Sequence, residues 1–364
     1  MLKLLVSICL LVNVLFLATE AKAQIEDAIR DGNLDSVKNY LEKENNVDEM
    51  SASELLYLAA QYGKLDIVNY LLSTGADVNA RGEDNRSALS VAVQKGHMAI
   101  VNTLLERGAE IEDKEGFTTL VDAVESPDTG MVDFLLAKGA DINAALCAGD
   151  VCTTALHFAA SKGNYAMFMH LVEKGANLRQ SLPYDTIDGD ILNSAVYGGN
   201  LDIVKYLISK GFDIHYSEKK LKKSLLASAV NSDSMDVLAV IDYLIGAGLN
   251  VNYKDAYNKT VFFAVWTSED ETPAEKNVKS AILQRLIDKG LKITGQDDVG
   301  NTPLHHACDL GFVDVVQKLV AKKAPLFVKN AQNETPLDIA RKKEDLAVIQ
   351  VLEKAIAKET DDRK

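Results

Sequence analysis

The chain contains the stretch Gly63-Lys-Leu-Asp-Ile-Val-Asn-Tyr-Leu-Leu-Ser-Thr-Gly75-Ala-Asp-Val-Asn79, and 33 residues later it contains Gly96-His-Met-Ala-Ile-Val-Asn-Thr-Leu-Leu-Glu-Arg-Gly108-Ala-Glu-Ile-Glu112. A fixed period of this length is typical of stacked supersecondary units, each of which buries its apolar face against the next one. The two stretches therefore predict a repeat protein rather than a single globular core.

Each stretch has the apolar spacing of a helix that ends at a glycine. Ile67 and Val68 are followed by Leu71 and Leu72, which places all four residues on one side of a helix. The second stretch has Ile, Val, Leu and Leu at the same positions. Gly75 follows the Leu-Leu pair where the helix should stop, because glycine adopts the left-handed backbone of a helix end at the lowest cost.

Three further stretches share an opening phrase, and with the glycine-ended helices they resemble the ankyrin repeat. The phrases are Thr302-Pro-Leu-His-His-Ala307, Thr335-Pro-Leu-Asp-Ile-Ala340 and Thr154-Ala-Leu-His-Phe-Ala-Ala160. The ankyrin unit consists of a hairpin tip, a first helix that opens with Thr-Pro-Leu-His-x-Ala-Ala, a tight turn, and a second helix that ends in Leu-Leu-x-x-Gly-Ala. The resemblance covers about nine-tenths of the chain after residue 23.

The resemblance implies an all-α repeat solenoid of about ten ankyrin-type helix-turn-helix units with short hairpin tips. We expect the solenoid to span residues 24–357 and residues 358–364 to form a disordered tail. The first repeat lacks the Thr-Pro-Leu-His opening and the last repeat is rich in Lys and Glu, as is typical of capping repeats in which one face meets water. The expected repeats are 24–50, 51–83, 84–114, 115–150, 151–182, 183–217, 218–256, 257–296, 297–329 and 330–357.

Residues 1–23 have the features of a cleaved signal peptide. Lys3 gives a basic start, residues 4–17 are nearly all apolar, and Ala21-Lys-Ala23 is a small-x-small cleavage site before Gln24. The alternative is an uncleaved N-terminal anchor, although the apolar run is short for a membrane helix. We therefore expect an exported protein, either periplasmic or secreted.

The charge balance bears on the class of partner. The chain has 53 acidic and 39 basic side chains, and cleavage after residue 23 would change the net charge from −14 to −15. This balance disfavours nucleic acid and anionic lipid as partners, and it favours a neutral or basic protein. We expect no membrane span after cleavage, and a monomer.

No enzyme motif is present in the sequence. It has no Gly-x-Ser-x-Gly, no glycine-rich nucleotide loop, no His-Glu-x-x-His and no calcium-hand loop. His97, His157 and His305 match the family's own histidine positions, which implies turn or inter-repeat hydrogen bonds rather than catalysis or metal binding. The neighbouring His306 lies about 100° from His305 around a helix, which suits chelation poorly. We expect no catalytic residue, no cofactor and no metal.

Some local features depart from the repeat and leave alternatives open. Pro127 bars helix continuation at the turn of the fourth repeat. Residues 267–277 interrupt the eighth repeat, and their acidic run Ser268-Glu-Asp-Glu271 is either a solvated loop, a contact loop or a weak cation site. Trp266 precedes this insertion as either an interface anchor or a packing residue. Lys323 stands where the stop glycine of the ninth repeat would be.

Three Asn-x-Ser/Thr sequences begin at Asn85, Asn258 and Asn333 and have the form of glycosylation sequons. For Asn85 and Asn333 the repeat offers another explanation. The Asn stands at a hairpin position that needs left-handed backbone, and the Ser or Thr two residues later caps the next helix. We therefore interpret the sequons as structural.

The resemblance implies a concave surface of hairpin tips and first helices that binds other proteins. Candidate contact residues end a first helix or lie in the hairpin just before one. The apolar candidates are costly to expose without a purpose, although scattered apolar residues are common on protein surfaces. The candidates are Tyr62, Arg86, Gln94, Lys95, Phe117, Lys162, Tyr197, Asn301, Asp309 and Leu310.

Two cysteines lie in a connection that is longer than the period. Gly139 and Gly175 are 36 residues apart, and Cys147 and Cys152 flank a turn-like segment between them. An exported protein meets an oxidising compartment, and hairpin arms bring Cβ atoms within about 4 Å, so we predict a disulfide. The alternative is two free thiols in a flexible loop. Cys308 replaces a small residue of a first helix and should be a buried free thiol.

These observations support three hypotheses of function. The first is a non-enzymatic exported scaffold that binds a protein through its concave surface. The second is a specific inhibitor, immunity factor or maturation factor for one periplasmic or secreted enzyme. The third is an enzyme whose site is built across several repeats, which the absence of motifs disfavours.

Overall fold

The computed structural model describes residues 22–42, 50–82, 85–112, 118–126, 128–148, 151–180, 191–215, 224–255, 259–265 and 272–362. These residues are mostly helical and divide into two compact units. The first unit contains the described residues up to Ala155 together with His170–Asn177. The second contains Leu156–Met169 and the described residues from Leu178 onwards.

The helices follow one another as short pairs, in agreement with the repeat prediction. In chain order they are α1 (22–31), α2 (Leu34–Glu42), α3 (Ala52–Gln61), α4 (Leu65–Ser73), α5 (Ala88–Gln94), α6 (Met98–Glu106), α7 (Thr119–Val124), α8 (Gly130–Ala137), α9 (Ala155–Ser161) and α10 (Tyr165–Glu173). They continue as α11 (Ile191–Tyr197), α12 (Leu201–Ser209), α13 (Leu226–Ala229), α14 (Val237–Gly246), α15 (Pro273–Asp288), α16 (Pro303–Leu310), α17 (Val313–Ala321), α18 (Pro336–Lys342) and α19 (Leu346–Asp362).

The first helices begin at side-chain caps that the sequence supplies. The side chains of Thr302 and Thr335 each accept a hydrogen bond from the backbone amide three residues on. The side chain of that residue in turn accepts a hydrogen bond from the backbone amide of the threonine, which completes a capping box. The prolines that follow occupy the first turn, where the missing N–H costs nothing. Ser87 caps α5 through its Oγ alone, which accepts a hydrogen bond from the amide of Ser90 at 3.1 Å.

The core lies between successive helix pairs. Leu71, Leu104 and Leu135, which stand at equivalent positions of three repeats, are all 0% exposed. Helix α3 packs against both its partner α4 and the next first helix α5, which in turn packs against α7. In the second compact unit α16 packs in the same way against α17 and α18. Each apolar face is therefore buried by a neighbouring repeat, as a stacked array requires.

The connection between α8 and α9 is a two-stranded antiparallel hairpin. Strand β1 (Ala145–Ala148) pairs with β2 (Val151–Thr154), and the register places Cys147 opposite Cys152. The structure joins these two cysteines by a disulfide with an Sγ–Sγ distance of 2.07 Å. The formation of this bond in the exported protein stays a prediction that thiol counting tests.

Two sequence expectations about chain ends and insertions need correction. The segment 267–277 does not interrupt the eighth repeat throughout, because α15 begins at Pro273 behind a capping box of Thr272 and Glu275. The first helix of that repeat is only a 3-10 helix, Val261–Ala264. The expected disordered tail is helical as far as Asp362, because the alanine, lysine and glutamate residues before it are good helix formers.

Left-handed backbone occurs where the repeat requires it, and among the described residues it includes four that are not glycine: Asn85, Lys323, Asn333 and Glu344. Asn85 and Asn333 have φ values of 62°, in agreement with the structural interpretation of their sequons. Asn258 lies outside the described residues. Lys323 has a φ of 63° at the helix stop where other repeats have glycine. Within the part of the chain that the structure describes, no helix has the length and apolar character needed to cross a membrane.

Candidate functional site

The first helices of the third and fourth repeats carry a connected group of polar side chains. Arg86 donates through Nη1 to Oε1 of Gln94 at 2.8 Å and through Nη2 to Oδ1 of Asp122 at 2.5 Å. Ser90 donates to the second oxygen of Asp122, and Gln94 donates to Oε2 of Glu125 at 2.6 Å. These bonds link α5 to α7 and its C-cap, so two repeats hold one polar surface in place. We call these five residues the Arg86 network.

Asp122 is the most enclosed charged member of the Arg86 network, with 19% of its side chain exposed. Burial raises the pKa of the Asp122 carboxyl, and the bonds from Ser90 and Arg86 oppose that effect. The guanidinium of Arg86 is 20% exposed and faces this carboxyl, so the charge is compensated inside the network. Glu125, which accepts the bond from Gln94, is exposed to solvent at the edge of the Arg86 network.

The two tyrosine candidates each make one polar contact with a neighbouring repeat. Tyr62 is half-buried, and its hydroxyl accepts a hydrogen bond from Arg30 at 3.2 Å while the same guanidinium lies 5.2 Å from the ring centroid. Tyr197 is 37% exposed, and its hydroxyl donates to Asp233 at 3.2 Å. A contact from a neighbouring repeat therefore orients each ring, while part of the ring surface stays exposed to solvent.

The charged candidates remain largely in solvent. Lys95 is exposed at the C-cap of α5. Lys162 is exposed, with its ammonium 5.1 Å from the ring centroid of Phe158. Asp309 is exposed and forms an ion pair with Lys343 at 2.9 Å. Of this group, Lys95 stands nearest along the chain to the Arg86 network.

The remaining candidates divide between hairpin and helix. Asn301 is half-buried in a hairpin, where its backbone amide donates to Asp297 at 2.7 Å and its side-chain oxygen accepts from Asn330 at 3.0 Å. Leu310 is half-buried at the end of α16. Phe117 lies outside the described residues. The partner-binding role of these candidates stays a prediction, and sequence position did not reveal that Arg86, Gln94 and Asn301 are bound to neighbouring side chains.

Comparison with known proteins places these observations in a family. The family model described as ankyrin repeats matches residues 25–115, 56–146, 120–218 and 274–362, which together cover more than half of the chain. The chain belongs to the ankyrin-repeat family.

Two similar proteins illustrate the extent of the likeness. A transient receptor potential cation channel subfamily A member 1 homolog from Caenorhabditis elegans is 38% identical over 72 residues, which is 20% of this chain and 6% of the channel. The chain thus matches only a small part of that relative's length. The crystal structure of the human ASB11 ankyrin repeat domain has 24% sequence identity and a TM-score of 0.45, over 63% of this chain and 96% of the other.

The histidines of this ankyrin-repeat protein make the structural contacts that the resemblance implied. Nε2 of His97 lies 3.3 Å from the carbonyl oxygen of Gln61 in the preceding repeat. Nε2 of His305 lies 3.1 Å from the carbonyl oxygen of Glu334 in the following repeat. His157 is buried, with 2% of its surface exposed. The expected inter-repeat hydrogen bonds are therefore confirmed for His97 and His305.

Cys308 is a buried free thiol, as predicted for a small residue of a first helix. Burial raises the pKa of this thiol to about 12, and the nearby carboxylates of Asp345 and Asp309 act in the same direction. The thiol is therefore protonated at neutral pH. Among the residues that the structure describes, no three His, Cys, Asp or Glu side chains are grouped so as to hold a metal ion.

Sequence reasoning missed a set of ion pairs between successive second helices. Asp133 lies 2.9 Å from Nε2 of His170 and 2.7 Å from Nζ of Lys174. At the equivalent positions further along, Asp242 pairs with Arg285 at 2.5 Å and with Lys289 at 3.0 Å. In the sequence, these pairs correspond to an Asp that directly follows two apolar residues of one second helix. The next second helix carries two basic residues four positions apart. An alignment of the repeats would have revealed this pattern.

Proposed function

We propose that this ankyrin-repeat protein is a non-enzymatic scaffold that binds a protein partner through its first helices and hairpin tips. The observation that carries the proposal is the Arg86 network. Its side chains are fixed by bonds between two repeats, so little side-chain entropy would be lost when a partner contacts them. Glu125 and Lys95 provide exposed charges of both signs beside it.

We further propose that the protein acts after export, in the periplasm or outside the cell. The support is the sequence of residues 1–23, with its basic start, apolar run and Ala-Lys-Ala cleavage site. Peptide mass mapping of the exported protein tests this proposal. A mature form that begins at Gln24 agrees with it, and a form that retains Met1 contradicts it.

Photo-crosslinking in the producing cells tests the binding surface. A photoreactive amino acid replaces Lys95 in one variant and Gln94 in another. Matched controls carry it at Asn69 and Gln317, which are exposed on second helices. We expect discrete crosslinked products from the first-helix positions and few from the controls.

The outcomes of this experiment separate the alternatives. Absence of adducts from both first-helix positions, or equal adducts from all four positions, would contradict the proposed surface. The identity of the crosslinked protein also separates a general scaffold from an inhibitor, immunity factor or maturation factor. An enzyme as partner, inhibited or matured by the purified chain, would favour the latter group.

A further inference from the structure

The turns between the helices of the fifth, sixth and seventh repeats pack against one another through backbone. A Cβ added at Gly198 would lie 2.1 Å from the carbonyl oxygen of Ala160, and one at Gly163 would lie 2.6 Å from that of Gly198. A Cβ at Gly199 would lie 3.2 Å from Cβ of Ser234. A side chain at Gly163 or Gly198 would collide with backbone of the neighbouring turn, and one at Gly199 would press against the next turn, so the three turns form one continuous edge within the second compact unit.

Three large apolar side chains are exposed along this edge. Tyr165 follows the first turn and is 42% exposed, Tyr197 begins the second and is 37% exposed, and Met235 follows Ser234 in the third and is 50% exposed. We call Tyr165, Tyr197 and Met235 the turn strip. Apolar side chains exposed on consecutive repeats are more informative than scattered ones, because they form a patch that a partner can cover in one contact.

Carboxylates surround the Tyr197 and Met235 end of the turn strip. Asp202, Asp233 and Asp236 are all exposed, and Asp233 accepts the hydrogen bond of the Tyr197 hydroxyl. The pKa of Tyr197 is raised by burial, and by the charges of Asp233 and Glu275.

A basic residue lies at the other end of this edge. Lys162 precedes Gly163 in the turn of the fifth repeat, and its ammonium lies over the ring of Phe158. Asp233 and Asp236 give the apolar Tyr197–Met235 end of the strip an acidic rim.

We propose that the turn strip binds a basic segment of a partner protein, with an apolar side chain seated between Tyr197 and Met235 and flanking Lys or Arg residues facing Asp233 and Asp236. This inference rests on the proposed binding function and specifies which chemical features the partner must have. Carboxylates around an apolar patch attract cationic side chains and repel anionic ones. The same rim disfavours an anionic lipid surface, and the net charge of −14 disfavours a second copy of this chain.

Synthetic peptides of defined charge test the proposal by fluorescence anisotropy with the full chain lacking residues 1–23. The first probe is a short fluorescein-labelled peptide that carries leucine and phenylalanine among lysines. The second has every lysine replaced by glutamate, and the third has every apolar residue replaced by alanine. We expect saturable binding of the first probe only, with affinity that falls as salt is added.

Paired variants locate the binding site on the turn strip. Tyr197→Ala combined with Met235→Ala should weaken binding of the basic probe at least about tenfold, and Asp233→Asn combined with Asp236→Asn should remove most of the salt dependence. Val299→Ala, at an exposed apolar side chain in the hairpin of the ninth repeat, is the control and should leave the affinity unchanged. Thermal melts of each variant establish that the fold is retained.

Several results would overturn the inference. These are failure of the basic probe to bind, unchanged affinity of the Tyr197→Ala/Met235→Ala variant, equal binding of the acidic probe, or self-association that Met235→Ala abolishes. If crosslinks from Lys95 are still observed together with any of these results, the proposed function is retained and only the turn-strip proposal is rejected. Absence of both crosslinks and probe binding would remove both proposals.

Discussion

Lys323 shows how a single residue departs from the repeat at an energetic cost. Its φ of 63° lies in the left-handed region, which glycine occupies at the same position in the preceding repeat, where Gly290 has a φ of 92°. We predict that Lys323→Gly raises the free energy of unfolding by roughly 0.5–1 kcal/mol, since the left-handed penalty exceeds the added chain entropy. Urea denaturation measures the change.

A reciprocal substitution controls for this prediction. A Cβ added at Gly290 would meet nothing within 4 Å, so Gly290→Ala tests the backbone cost without a steric clash. It should lower the free energy of unfolding by roughly 1–2 kcal/mol. A destabilised Lys323→Gly variant would show that the lysine side chain makes a contact worth more than its strain.

His306 gives the stability of the second compact unit a dependence on pH. It packs against Phe262 and Phe263, and its Nε2 lies 3.2 Å from the carbonyl oxygen of Val265. Burial lowers its pKa below the ordinary 6.5. The unfolded chain therefore binds the proton more tightly, so stability is complete above pH 6.5 and is lost as the pH falls through the lowered folded pKa.

Urea denaturation at pH 7 and pH 5 should detect this loss. The wild-type chain should lose stability between the two values, and His306→Gln should lose less. Burial also lowers the pKa of His305, so part of the decline should persist in the variant. An identical decline in both proteins would show that His306 does not contribute.

At the scale of the element, ion pairs connect second helices that the apolar core already stacks. Asp242 of α14 pairs with both Arg285 and Lys289 of α15, and all three side chains are between 34% and 39% exposed. Solvent screening at this exposure limits the energy, so Asp242→Ala should cost about 1 kcal/mol in low salt and less in high salt. Denaturant melts at two ionic strengths measure it. Asp314→Ala, at an exposed carboxylate of α17, is the matched control, and equal losses would contradict the specific pairing.

Elements were predictable where local chemistry and periodicity agreed. The spacing of Leu71 and Leu104 and the caps at Thr302 and Thr335 determined helices that the structure reproduces, because each signal lies within a few residues. The start of α15 was also encoded locally, in Thr272-Pro-Ala-Glu275, but the acidic run before it drew attention to a loop. The sequence therefore contained the signal for the start of α15, and only its interpretation was wrong.

The binding candidates were less predictable because their partners come from other repeats. Position within the motif placed Arg86 and Gln94 on the first-helix surface, but Asp122 is 36 residues from Arg86, and nothing local indicates that bond. The Asp133 and Asp242 ion pairs likewise span 37 and 43 residues. Contacts between repeats depend on register along the stack, which a single motif does not specify.

At the scale of the whole molecule, thiol chemistry tests export and the β1–β2 hairpin together. We predict one free thiol, that of Cys308, in exported protein that is denatured without reductant, because Cys147 and Cys152 are joined. A Cys308→Ala variant should give none. Three free thiols in the exported wild-type protein would show that the hairpin bond does not form.

The affinity of the crosslinked partner tests the proposed binding surface on the first helices. The partner captured from Lys95 is purified and titrated against the wild-type chain, a Lys95→Glu/Glu125→Lys variant, and a Gln317→Ala control on a second helix. We predict that the charge-exchanged variant binds at least about tenfold more weakly while the control is unchanged. Equal affinities for all three proteins would contradict a binding surface on the first helices.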